Sequence, residues 1–318
     1  VMDGLSLYQK FALILKWFWL ALILGCVLYI LLQHQKNSTF YLSEIPLVKI
    51  LASLVLIAVS KLFMTFAAYR ALKNFDNLAA TLAFSFYAYN ISQLPKYIPG
   101  SLWQHANRFI IYTRNGTGKH AALNSIAYEN FWLLASSFAL GILSLLAFEP
   151  QLLLATSESI GGQWHWIWAV LVIGLLSGLA IAIYTPSIRD AGSKFIFRLF
   201  APDFLLIGSL LTVWLCLGLS VYVLLDTPAV SISLVLYVCG VFAFAYGCGF
   251  LVPIAPAGLG IREGILIMGL LPLSFSPPAL ELALLLSLHR LLYLFTDIIF
   301  TGLAVLSHQR QDAVSSSQ

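Results

Sequence analysis

The sequence predicts an all-α polytopic membrane protein, a single transmembrane domain over residues 1–318, with about six spanning helices plus two re-entrant helical hairpins arranged as inverted-topology repeats. Three observations predict it. Hydrophobic residues make up 60% of the chain and charged ones 9%, against about 25% charged in soluble domains. Long apolar runs recur along the whole chain. Two of the apolar stretches are broken by prolines and glycines, with basic residues beside the break.

Runs long enough to cross about 30 Å of hydrocarbon, roughly 20 residues each, lie near 11–32, 46–69, 120–148, 164–184, 203–225 and 278–306. Two further helical stretches, 78–93 and 230–252, lead into the breaks, and short helices follow near 101–113 and 261–272. Ahead of the first run, V-M-D-G-L-S-L-Y-Q-K carries no leader cleavage pattern, and Val1 before Met2 is set aside from the fold reading.

Lysine and arginine orient these runs, because cytoplasmic loops are enriched in both. Arg70 and Lys73, Arg114 and Lys119, and Arg189, Lys194 and Arg198 mark inner loops, whereas 149–163 and 226–229 carry neither residue. Residues 70–77 and 114–119 then share the inner side, so the segment between them enters and returns. The same count makes the second broken segment enter from outside. Residues 46–148 and 203–306 become two repeats of opposite topology, the arrangement of secondary transporters with sites near the midplane. Both termini are expected in the cytoplasm of a cell bounded by a bacterial inner membrane.

The breaks are the candidate site. The first carries Pro95, Pro99 and Gly100, the second Pro253, Pro256, Gly258 and Gly260. In hydrocarbon, irregular backbone is tolerated only inside protein or against a wet cavity. Ser101 is placed to cap a new helix, and a second helix start follows Gly260; such N-termini attract anions. Lys96, Arg108, Arg262 and Arg290 supply positive charge, so the expected guest is one anionic head group. Glu129, Glu263 and Asp297 are assigned to balancing that charge or carrying a coupling proton.

Polar stripes support an inward-facing site. Ser287, Arg290, Tyr293, Asp297 and Thr301 share one face of the last span, and Asn124, Ser125, Tyr128, Glu129, Trp132 and Ser136 share one face of the 120–148 span. Charges at the bilayer centre cost at least about 2.5–3.5 kcal/mol each, so these faces are expected to look toward one another. Lys49 and Lys61 read instead as structural lysines able to snorkel.

Other signals are weak. The four cysteines fit small buried hydrophobes. R-N-G-T-G-K-H at 114–120 lacks phosphate-loop spacing and reads as a turn. Asn37 and Asn115 match a glycosylation pattern that is common by chance. Trp164, His165, Trp166 and Trp168 read as an interfacial aromatic belt. No metal site, cofactor or nucleic-acid partner is expected, since acidic residues are dispersed and basic ones sit in short loops.

K-Y-I-P-G-S-L-W-Q at 96–104, Glu129, and P-A-G-L-G-I-R-E-G at 256–264 followed by His289 and Arg290 resemble the flippase-like membrane domain of the lysylphosphatidylglycerol synthase family. The resemblance runs from about 46 to 306, and P-A-G-L-G stands where the family commonly has P-G-G-x-G. It implies a stand-alone domain, without the synthase domain, that moves a lipid with a charged or glycosylated head group between leaflets. The substrate is expected to be an anionic or glycosylated phospholipid or a polyprenyl-phosphate-linked lipid. Two alternatives stay open: an intramembrane transferase with Glu129 or Asp297 as general base, and an accessory membrane subunit of a lipid or polysaccharide synthase. Self-association and a synthase partner are also left open.

Overall fold

The computed structural model describes residues 45–76, 80–97, 102–148, 198–225, 231–252, 256–273 and 277–316, of which Pro256 and 310–316 are described in backbone only. The predicted spans at 11–32 and 164–184, the Trp164–Trp168 belt, and Ser101, Pro99, Gly100 and Pro253 lie outside these residues.

The described chain is helical throughout, with no strand among the described residues. In order the helices are α1 (Leu47–Phe75), α2 (Leu82–Ile91), a 3-10 turn (Leu94–Tyr97), α3 (Trp103–Arg114), α4 (Lys119–Phe148), α5 (Phe204–Leu224), α6 (Ile232–Leu251), a second 3-10 turn (Pro256–Gly258), α7 (Ile261–Leu270) and α8 (Ala279–Ser316). Five of the described helices, α1, α4, α5, α6 and α8, are long and apolar enough to cross a membrane.

Local chemistry sets the helix ends. The Thr81 hydroxyl accepts from Phe84 N–H at 3.2 Å and starts α2. Asp203 Oδ1 accepts from Leu205 and Leu206 N–H at 3.0 and 3.2 Å and starts α5, while its other oxygen takes the Arg70 guanidinium at 2.9 Å. That pair ties the C-terminal part of α1 to the N-terminus of α5. Helix α3 begins at Trp103, and its expected cap, Ser101, lies outside the described residues. Leu102, already helical in its dihedrals, precedes Trp103 with no side-chain cap bond. Leu102 has no side-chain oxygen, so nothing at that position can take an orphan N–H.

The arms leading into the two breaks are unequal. Helix α2 has 10 residues, about 15 Å, half the hydrocarbon thickness. Helix α6, read from sequence as the arm of a hairpin, has 20 residues, about 30 Å, and is long enough to cross alone.

Helix α1 packs most extensively on α5, α6 on α4, and α2 on α8. Small residues bring these helices close. Gly240 and Gly247 of α6 lie against Ser144 and Ser137 of α4, where an added Cβ would collide with the facing side chain. Trp214 of α5, fully buried, donates its indole N–H to Ser136 Oγ of α4 at 2.9 Å. The two 3-10 turns touch each other, and α8 touches the first of them.

Candidate functional site

The second break bends the chain by identifiable means. Ala257 adopts φ 50° and Gly258 φ 71°, left-handed backbone that reverses the chain within the 3-10 turn. Gly258 lies so close to α6 that a Cβ on it would stand 2.9 Å from Gly249 Cα. Gly260, at φ 84°, precedes α7, and its N–H is accepted by Glu263 Oε2 at 2.8 Å. One orphan donor of that helix start is therefore taken by the protein's own carboxylate.

The first break places Lys96 in its 3-10 turn, buried, with Nζ 2.6 Å from Asp297 Oδ2 of α8 and 3.2 Å from Gln93 Oε1. The Tyr97 hydroxyl donates to the same Asp297 oxygen at 2.7 Å. The other Asp297 oxygen pairs with Lys61 of α1. One carboxylate of α8 thus holds a lysine from α1 and a lysine and a tyrosine from the first 3-10 turn.

Two turns before Asp297 on α8, Arg290 donates to Glu263 Oε1 at 2.8 Å and to the Ala257 carbonyl oxygen. Its guanidinium ties the left-handed turn to α7. Arg262, in the first turn of α7 and only 6% exposed, is held differently. It lies over Phe242, Tyr246 and Tyr293, with guanidinium-to-ring distances of 4.3, 5.3 and 5.7 Å. Among the described residues it makes no hydrogen bond and no ion pair. Tyr293 serves as a common bed, with Lys61 at 4.2 Å and Lys96 at 4.7 Å from its ring centre.

These groups surround a small cavity of about 50 Å³, room for a few water molecules. Its lining includes Lys96 and Tyr97 of the first break, Gln104 of α3, Gly249 and Tyr246 of α6, Gly258 and Arg262 of the second break, and Arg290 and Tyr293 of α8. Among the described residues three cations line it and no carboxylate does. Each nearby carboxylate faces a cation instead: Asp297 to the two lysines and Glu263 to Arg290. The arrangement can accept an anion, because guanidinium and ammonium groups stand on several sides while the acidic oxygens of Asp297 and Glu263 lie behind them, outside the described lining.

Among the residues expected at the site, Lys96, Arg262, Arg290 and Gly258 therefore converge on one cavity, and Glu263 and Asp297 hold its cations from outside the lining. Arg108 and Glu129 form a separate pair. Arg108 is 2% exposed, 2.5 Å from Glu129 Oε2 and 3.4 Å from Ser92 Oγ, with its guanidinium 4.6 Å from the Tyr89 ring. Neither residue lines the cavity. Pro95 lies in the first 3-10 turn and Pro256 opens the second.

Lys61, read from sequence as a snorkelling lysine, is fully buried and paired with Asp297. Its place midway along α1 leaves the side chain too deep to reach an interface, which is the signal that could have found it. Lys49, near the start of α1, donates to the Leu225 carbonyl at 3.5 Å. Tyr97 and Tyr246 of the lining carried no sequence signal, since tyrosines inside apolar runs read as packing. His289, beside Arg290, shares a hydrogen bond of 2.7 Å with Ser220 of α5. Among the described residues no group of His, Cys, Asp and Glu is placed to hold a metal ion. Compared with known proteins, the chain matches no family model, and no curated protein sequence matches it.

Proposed function

We propose that this chain is a membrane lipid translocase in which the two breaks are the tips of re-entrant hairpins belonging to inverted repeats, and the cavity between them takes the anionic head group of a lipid. The packing supports the repeat reading. The first helix of each repeat, α1 and α5, pack on each other, while α2 packs on α8 of the second repeat and α6 on α4 of the first. Each broken arm thus lies against the closing span of the other repeat, as a two-fold exchange requires.

The observation that carries the proposal is a cavity lined by Lys96, Arg262 and Arg290 and, among the described residues, by no carboxylate, walled by helices apolar enough to sit in a bilayer. Its volume suits a head group and not the tails, which would stay in hydrocarbon. The motif resemblance to the flippase-like domain of the lysylphosphatidylglycerol synthase family points the same way. On this reading the protein resides in a bacterial cytoplasmic membrane with both termini inside, and its partner is a lipid bearing a phosphate head group. The transferase reading is less favoured, because a general base must lie within reach of the acceptor hydroxyl and the described carboxylates near this cavity, Asp297 and Glu263, are turned to cations.

Purified protein in liposomes is expected to speed transfer of a fluorescent anionic phospholipid between leaflets, and Arg262→Gln to slow it about tenfold or more. Equal rates in empty and protein-containing vesicles, across phospholipids and a polyprenyl phosphate, would falsify the proposal.

A further inference from the structure

Resting on the translocase reading, we infer that the cavity selects a phosphomonoester dianion, a lipid ending in an unsubstituted phosphate, over phosphodiester lipids and other singly charged head groups. Two features carry this, one of charge and one of geometry.

The charge follows from counting the cluster with histidines neutral. Among the described residues Lys61, Lys96, Arg262 and Arg290 face two carboxylates, Asp297 and Glu263, a formal excess of two positive charges. Adding the Arg108–Glu129 pair changes nothing, because it is balanced in itself. One unit of the excess arises where Asp297 serves two lysines, and the other is Arg262, whose guanidinium rests on aromatic rings without an ion pair among the described residues. Buried charge without a counter-charge is costly. A guest of charge −2 removes the excess, whereas a monoanion leaves one cation unmatched.

The geometry lies in the number of donors. Lys96, Arg262 and Arg290 reach the cavity from three separate elements, the first 3-10 turn, α7 and α8. A phosphomonoester presents three terminal oxygens, one for each cation, whereas a phosphodiester has two. The Tyr246 hydroxyl, also in the lining, has no hydrogen-bond partner among the described residues and offers a further donor.

The test compares dodecyl phosphate with dodecyl sulfate, which share a tetrahedral head with three terminal oxygens and differ by one charge at pH 8, above the second phosphate pKa of about 6. Binding is measured below micellar concentrations to the full chain in phosphatidylcholine nanodiscs, with empty nanodiscs subtracted. The phosphate is expected to bind about tenfold tighter or more, because its second charge matches the buried cation that a monoanion leaves unpaired. Arg262→Gln should collapse that ratio toward one, and Arg262→Lys should retain it. Gln104→Glu adds one negative charge to the lining and should lower the ratio while every arginine stays in place, so the inference remains testable if Arg262→Gln misfolds. Equal affinities for the two ligands, absence of binding by both, or a ratio unmoved in both charge-changing variants overturns it. Lipid translocation that persists without any phosphate preference overturns the dianion alone and leaves the translocase standing. Inorganic phosphate displacing dodecyl phosphate at similar concentration supports the dianion and counts against a lipid as its source.

Discussion

The two breaks meet at one cavity, yet they hold their cations in opposite ways. At the first, Lys96 is fixed by a carboxylate that also holds Lys61 and Tyr97. At the second, Arg262 is positioned by the faces of Phe242, Tyr246 and Tyr293. A carboxylate neutralises the cation it positions; an aromatic bed positions it and leaves most of its charge free to act on a guest. On the proposed function, both breaks supply cations to the cavity, the first more firmly secured and the second with the freer charge. Mutations should separate the two arrangements.

The largest effect is expected at Asp297. Replacing it by alanine leaves Lys61 and Lys96 buried without their shared carboxylate, and removing one side of a buried pair costs about 3–5 kcal/mol. Denaturant unfolding in detergent micelles measures this directly. A loss below about 1 kcal/mol would mean that the first break is not secured by charge. Next comes Arg262→Met, which exchanges a ring-stacked cation for an apolar chain. Lost stacking of about 1–2 kcal/mol is offset by relief from burying charge, so stability in the same assay should move by no more than about 1 kcal/mol. A loss equal to that of Asp297→Ala would show that the two breaks are secured alike. The smallest effect belongs to Ala257, the one described non-glycine residue with positive φ. Ala257→Gly relieves about 1–2 kcal/mol of left-handed strain but loosens the unfolded chain by about 0.4–1 kcal/mol, for a net gain of about 0.5 kcal/mol. Thermal unfolding of the two variants side by side would read it, and a net loss would indicate that the methyl group contributes packing.

Much of this arrangement was legible in the sequence, and the gaps have physical causes. Apolar runs located the described spans because hydrocarbon thickness fixes their length. They misplaced helix ends, because hydropathy stops at the first charges while helix propensity does not. Helix α1 continues through Arg70 and Lys73 to Phe75, and α8 runs on to Ser316. The stripe on the last span correctly joined Arg290 and Asp297 on one face, since periodicity fixes faces. It could not reveal their partners. Lys61 lies 236 residues from Asp297 in the chain, and no local pattern encodes that pairing. The aromatic bed was hidden for a different reason: Phe242, Tyr246 and Tyr293 sit in stretches already rich in aromatics, where nothing marks a ring that carries a cation.

The approach of Gly258 to Gly249 has a consequence for how such a pocket could change over evolutionary time. At Gly258 the pocket's wall is main chain against the main chain of Gly249, and a Cβ on Gly258 would have no space. That part offers selection nothing to vary, so a lineage shifting to a different guest must remodel the rim around Gln104, Tyr97 and Phe250, which leaves the glycine contact as the conserved hallmark by which descendants could be recognised.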